Sequence, residues 1–174
     1  MKYAQKLQLE IPEAVYKLPR DTRVVAKDGT EEAGEIFRHY VKRSDTPLIL
    51  NLFPEKIAAS VIGVTVSNIS AVDVHAHTRE ECVVNLYLQA SGAKTVFYEG
   101  DVVPVITYSG GYFTPDIAQL TDVESFKAAS GDVWVLNSRQ PHSVVVEESF
   151  EDRWAVQVYL STPFHEVVAL LCGP

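Results

Sequence analysis

The sequence predicts an all-β-dominated domain, a sandwich or barrel with α-helical support at its N-terminal end. Two observations carry this. Between Val64 and Leu160, short β-branched runs follow one another, most of them separated by turn residues such as Ser91-Gly92, Glu99-Gly100, Gly110-Gly111 and Ser130-Gly131. Many short strands at such spacing are the pattern of sandwiches and barrels. At 174 residues and 47% hydrophobic composition, the chain can also bury a sizeable core as one domain without staples.

Taken in order, residues 1–26 alternate loosely (Leu7, Leu9, Ile11, then Val24 and Val25), which suggests peripheral strands around Pro12 and Pro19. Asp28-Gly29 is a turn signal. Ala33, Ile36, Phe37, Tyr40 and Val41 then fall on one helical stripe, with Asp28 or Thr30 as its cap and Asp45-Thr46-Pro47 as its end. A second helix is expected from Pro54 to about Ile62, because proline suits a first helical turn. Strands are expected at Val64–Ile69, Val72–Ala76, Cys82–Gln89, Thr95–Tyr98, Val102–Thr107, Asp132–Leu136, His142–Val146 and Trp154–Leu160. Phe164 to Leu171 reads as a short helix packed on the outside. The single domain thus divides into N-terminal strands and helices (1–63), a β core (64–161) and a C-terminal helix (162–174).

Two strands carry a telling polarity. Val84, Leu86 and Leu88 form one wholly apolar face, as do Trp154, Val156, Val158 and Leu160. These should pack on a second sheet or on helices. The opposite faces are mixed: Val83, Asn85, Tyr87 and Gln89, and Arg153, Ala155, Gln157 and Tyr159. Such faces either meet solvent, as in many antiparallel sheets, or line a small-molecule cavity.

Composition excludes several classes of partner. Net charge is −8, from 15 basic and 23 acidic residues, and there is no Lys/Arg run, which argues against nucleic acid. The apolar runs are too short to span a membrane. Lys6, Glu10, Pro12 and Glu13 interrupt the first 20 residues, so no signal-peptide core is present. Cys82 and Cys172 do not make a disulfide framework and read as reduced. The expectation is a cytoplasmic protein that binds a small-molecule substrate. Exposed edge strands make a homodimer plausible.

The chemistry concentrates in three of the five histidines. His75 and His77 are two residues apart on one strand, so their rings share a face. His142 opens a later strand. Three imidazoles from two strands make a facial ligand set with open positions opposite, which suits a catalytic transition metal better than a closed structural site. Without that convergence, each would read as an ordinary hydrogen-bonded histidine.

In this region the chain resembles the double-stranded β-helix superfamily of cupins and iron(II)/2-oxoglutarate dioxygenases. The first cupin motif, His-x-His-(x)3–4-Glu, is matched by His75, His77 and Glu81; the second is matched in spacing by Gly131, Asn137, Arg139 and His142. The resemblance covers roughly residues 64–161 and implies a jelly-roll barrel. The oxygenase branch places an Arg or Lys about ten residues beyond the distal histidine to hold the 2-oxoglutarate carboxylate, and Arg153 stands there. The stretches around His75-Ala76-His77, Val84–Leu88 and Thr95–Tyr98 are similar to small prolyl/aspartyl-hydroxylase-type members. The resemblance therefore implies Fe(II) on His75, His77 and His142, 2-oxoglutarate at Arg153, and hydroxylation of a substrate. Other divalent metals suit imidazoles as well.

The sequence departs from the family patterns: Asn137 and Arg139 replace the Pro and Gly of the second cupin motif, the glycines flanking the first are missing, and the gap between the motifs is long. Where the 2-oxoglutarate enzymes carry Asp or Glu, residue 77 is His. The alternatives are a three-histidine cupin dioxygenase or isomerase without 2-oxoglutarate, and a non-catalytic metal- or ligand-binding barrel. Glu81 is a candidate fourth ligand, or else a solvent-facing residue beside Arg79 and Glu80. Asn85, Tyr87 and Tyr98 are candidates for contacts to cosubstrate or substrate, with packing as the alternative. Arg153 has its own bland reading, a surface ion pair with Glu147, Glu148, Glu151 or Asp152. His39 reads as a solvated residue of the first helix, His165 as a cap or packing residue, Cys82 as a small buried hydrophobe and Asp132 as a turn former. Tyr108–Ser130 reads as an inter-strand excursion, or as a lid hinged at Gly110-Gly111 and closed by Tyr112 and Phe113.

Overall fold

The computed structural model describes residues 1–20, 36–69, 72–90, 92–100, 105–106, 112–114, 119–146 and 152–173. Along the chain these form β1 (Ala4–Leu7), α1 (Glu13–Tyr16), β2 (Ile36–Tyr40), α2 (Thr46–Leu50), α3 (Glu55–Ala58), β3 (Val61–Ile69), β4 (Val72–His77), β5 (Cys82–Gln89) and β6 (Lys94–Glu99). They continue with β7 (Val105–Ile106), β8 (Tyr112–Thr114), β9 (Thr121–Lys127), β10 (Val133–Leu136), β11 (His142–Val145), β12 (Trp154–Leu160) and α4 (Phe164–Cys172).

The strands form two six-stranded sheets, one in the order β1-β10-β5-β12-β3-β2 and the other in the order β7-β8-β4-β11-β6-β9. They contain the four-strand sets β10-β5-β12-β3 and β9-β6-β11-β4. From β3 to β6 and from β9 to β12, each strand crosses to the sheet opposite its predecessor, all with antiparallel neighbours. That alternation is the jelly-roll winding of a double-stranded β-helix. The fold is the one the motifs implied.

The apolar faces foreseen on β5 and β12 decide where the helices go. Val84, Leu86, Leu88, Val156, Val158 and Leu160 form one buried cluster with Val15 of α1, Ile49 of α2, Ile57 of α3 and Val167 of α4. The helices therefore cover the outer side of the first sheet. Each fully buried aliphatic side chain contributes about 1.5–3 kcal/mol. Except at Gln89, which is exposed at the end of β5, the mixed faces do not meet solvent: Asn85, Tyr87, Arg153, Gln157 and Tyr159 are all buried. They point into the barrel, where Tyr87 and Ala155 join Phe97, Phe126 and Trp134 in a second cluster.

Four local expectations are corrected. The stripe over 33–41 does not form a helix over its described part; Ile36–Tyr40 is β2, an edge strand paired residue for residue with Thr65–Ile69. His39 accordingly lies on a strand. Asp45-Thr46-Pro47 begins α2 rather than ending a helix, with Pro47 in the first turn, where its missing N–H leaves no intrahelical bond unmade. The helix from Pro54 stops at Ala58 and β3 begins at Val61, so Ile62 is in a strand. The short helix α1, and the strands β8 and β9, were not foreseen.

β9 changes the reading of the long excursion. It runs antiparallel to β6 from Lys94↔Lys127 to Glu99↔Thr121, so the strand beside β6 comes from within the excursion and not from Val102–Thr107. β7 instead lies at the far edge of the same sheet, on β8, which pairs with β4 at Ala76↔Phe113 and His77↔Tyr112. The excursion is thus partly built into the sheet. The proposed hinge at Gly110-Gly111, the Asp28-Gly29 turn, Thr30 and residues 147–151 lie outside the described residues.

Candidate metal centre and its buried arginine

Strand pairing brings the histidines together. β4 and β11 are neighbours in register at His142↔His75, and His77 follows two residues on from His75, on the same face. The ring centroids lie 4.3 Å apart for His75 and His142, 5.2 Å for His75 and His77, and 5.4 Å for His77 and His142. One ligand atom from each falls within 4.8 Å of the others, a spacing that can hold a metal ion. His77 and His142 are buried and His75 is half-buried.

The protonation pattern fits a metal. His75 Nδ1 lies 2.8 Å from the Asp73 carbonyl oxygen, and His142 Nδ1 lies 2.8 Å from that of Gln140. A carbonyl can only accept, so both rings carry the proton on Nδ1 and leave the Nε2 lone pair for a ligand bond. Burial, then the adjacent His75 and His77 rings, hold His142 well below the ordinary imidazole range. It is a neutral ring at physiological pH, as a metal ligand must be. His77 differs: its buried Nδ1 makes no hydrogen bond among the described residues and lies 3.3 Å from Glu80 Oε2, within ion-pair reach.

Glu81 is turned elsewhere. Its Oε1 accepts from Arg139 Nε at 3.2 Å and from a terminal Arg139 nitrogen at 2.6 Å, at the half-exposed rim. The carboxylate beside the cluster is that of Glu80, one residue earlier, which sequence reasoning passed over. Arg139 also binds the Thr78 carbonyl at 2.8 Å, and the Ser138 hydroxyl donates to the Glu80 carbonyl at 3.1 Å. These contacts fix the turn that follows His77.

Arg153 is the second feature. Only 1% exposed, it lies inside the barrel and not in a surface ion pair; its neighbour Asp152 instead accepts from Asn68 at 2.7 Å. One guanidinium nitrogen donates to Tyr87 Oη and to Thr95 Oγ1, each at 2.9 Å, and the group lies over the Tyr87 ring at 4.8 Å. Among the described residues both acceptors are hydroxyls, and the buried Nε–H has no acceptor. A buried cation that lacks a carboxylate is costly unless an anion arrives.

A hydrogen-bonded row runs from this cation toward the histidines. Asn85 donates to Tyr87 Oη at 3.2 Å, Gln157 donates to Asn85 Oδ1 at 3.3 Å, and Tyr159 donates to Gln157 Oε1 at 2.9 Å. The Tyr159 ring then lies 6.3 Å from that of His77. On the opposite sheet, Phe97 lies 5.6 Å from His142 and shares its face of β6 with Thr95. Asn85, Tyr87 and Arg153 are thus brought to one interior. Tyr98 is not: it projects to the outer side of its sheet with Val74 and Val96, and its hydroxyl meets Ser143 Oγ at 2.8 Å. Thr95, Gln157 and Tyr159 were missed as site residues, although strand parity with Phe97 and Arg153 carried the signal. Cys82 is buried, its thiol pushed up to about 12 by burial and then by Glu81, while His165 is exposed in the first turn of α4.

No protein-family model matches the chain, and no curated protein sequence does. Solved structures do. Escherichia coli ycfD superposes with a TM-score of 0.52 at 13% identity, over 87% of this chain and 42% of that one. The chain thus spans less than half the length of ycfD. A Bacillus subtilis oxalate decarboxylase variant gives 0.41 at 11% identity, over 76% of this chain and 27% of that one. A cupin-superfamily protein of Desulfitobacterium hafniense gives 0.34 at 12%, over 89% and 99%. At such identities the likeness concerns the fold, which is the double-stranded β-helix of the cupins. Within it lies a three-histidine cluster of metal-binding geometry. Among the described residues no helix is long and apolar enough to cross a membrane.

Proposed function

We propose that this chain is a non-haem Fe(II) dioxygenase that uses 2-oxoglutarate, with His75, His77 and His142 as metal ligands and Arg153 as the anchor of the cosubstrate. The observation that carries the reading is Arg153, a buried guanidinium with an unsatisfied Nε–H, held by hydroxyls on the same interior as the three imidazoles. When bound, Fe(II) supplies O2 activation, coupled to oxidative decarboxylation of 2-oxoglutarate and hydroxylation of a substrate.

The chain's own residues have definable tasks. Tyr87 and Thr95 hold the guanidinium so that its remaining N–H groups fork onto a carboxylate. Tyr87 Oη already accepts from both Arg153 and Asn85, so its own proton is available to the same carboxylate. Phe97 supplies an apolar wall between Thr95 and His142 and excludes water. Three neutral imidazoles leave a divalent ion at +2, and Arg153 adds +1. A dicarboxylate cosubstrate offsets most of that charge.

The imidazole at position 77 favours a second reading, a three-histidine dioxygenase or isomerase without 2-oxoglutarate. Metal analysis followed by anaerobic titration separates the two. Fe(II) with 2-oxoglutarate should give a weak visible metal-to-ligand band and a higher melting temperature. Fe(II) uptake with neither response to 2-oxoglutarate leaves the second reading standing and removes the first.

A further inference from the structure

The carboxylate missing from position 77 is not absent from the site. We infer that Glu80 is a positioning residue that supplies the missing negative charge from outside the coordination sphere, acting through His77. This rests on the reading of His75, His77 and His142 as metal ligands.

The three histidines are not backed alike. His75 and His142 each hold Nδ1 in a hydrogen bond to a neutral backbone carbonyl at 2.8 Å, whereas His77 Nδ1 makes no hydrogen bond among the described residues and lies 3.3 Å from a carboxylate oxygen of Glu80, within ion-pair reach. A negative charge at that distance favours a proton on Nδ1, leaves Nε2 for the metal and makes the ring a stronger donor, through its field rather than through a formed hydrogen bond. It also lowers the charge of the ligand set with a divalent ion from +2 to +1, the value of a two-histidine, one-carboxylate site, without using a coordination position.

The surroundings hold Glu80 to this task. The Glu80 carbonyl is bound by Ser138 Oγ at 3.1 Å, the His77 N–H is bound by the Ser138 carbonyl at 2.8 Å, and Arg139 binds the Thr78 carbonyl at 2.8 Å. Arg139, which reaches into this turn from the β10–β11 connection, is engaged by Glu81. Glu80 is mostly buried, with 20% of its side chain exposed, so its field on His77 is only partly screened. A residue three positions after His77 differs in spacing from the Glu81 that the His-x-His-(x)3–4-Glu pattern points to.

The test is the affinity of the full chain for Fe(II) and Co(II), measured anaerobically by competition with a chromophoric chelator. Glu80→Gln keeps the size and removes the charge, and should weaken binding roughly 10- to 100-fold. It should also shift the Co(II) visible bands, with the apo-protein melting as the parent does. On a His77→Asp background, the second change Glu80→Gln should cost less than threefold, because the imidazole it acts through is gone. Affinity and Co(II) bands unchanged in Glu80→Gln would overturn the inference while leaving the metal site intact. A parent protein that takes up no metal would overturn the underlying reading, and this inference with it.

Discussion

Replacing Arg153 by Met separates a structural arginine from one kept for a ligand. The side chains are similar in length, so the barrel stays filled, but the cation and its hydrogen bonds to Tyr87 and Thr95 disappear. Each bond to a charged donor contributes about 1.5–3 kcal/mol, and their loss is opposed by removal of a buried charge whose desolvation costs several kcal/mol. Among the described residues no carboxylate compensates that charge, so the two effects nearly cancel. The apo-protein should then lie within about 1 kcal/mol of the parent in urea denaturation, or be slightly more stable. Binding should respond differently. Losing a forked, charge-assisted contact to a carboxylate costs at least about 2 kcal/mol, roughly thirtyfold in the dissociation constant. The assay is anaerobic calorimetric titration of 2-oxoglutarate into Mn(II)- or Fe(II)-loaded protein, beside urea curves of both apo-proteins. A variant that loses more than about 2 kcal/mol of stability yet binds 2-oxoglutarate as before would show that Arg153 is an internal brace.

Two further outcomes follow from the geometry. In the metal-free protein His142 stays neutral well below its ordinary 6.5, whereas the unfolded chain takes up a proton there. The unfolded state binds more protons over that interval, so stability should fall as pH drops below about 6.5, by up to ~1.4 kcal/mol per pH unit. Urea midpoints of the parent and His142→Asn from pH 5 to 7.5 check this, and a gap between them that does not vary with pH would contradict it. At the barrel end, the Glu124 carboxylate on β9 accepts from the backbone N–H groups of Lys2, Tyr3 and Ala4 at 2.6, 3.1 and 3.0 Å, tying β1 of the first sheet to the second. Glu124→Ala should cost about 1–2 kcal/mol and speed amide exchange at Lys2–Ala4; unchanged exchange there would mean the clamp holds nothing.

The sequence by itself determined the local facts that depend on alternation. Strand parity placed His75 with His77 and Arg153 with Gln157 and Tyr159, and separated both sets from the apolar faces that accept the helices. It located β5, β12 and α4 within a residue or so, because their apolar patterns are long and unbroken. Parity also placed Tyr98 opposite Phe97, and was overlooked there. Other features were beyond it. The stripe over 33–41 satisfies helical spacing, but Ile36–Tyr40 gains a full ladder of hydrogen bonds on the edge of β3, and tertiary pairing outweighs a weak helical preference. Which strand fills the fifth barrel position depended on β9 reaching β6. The register His142↔His75, which turns two separate motifs into one cluster, is a long-range pairing that no local period encodes. The same holds for the two carboxylates after His77. Only the folded turn, fixed by Ser138 and Arg139 from another strand connection, sends Glu81 to the rim and Glu80 to the imidazole.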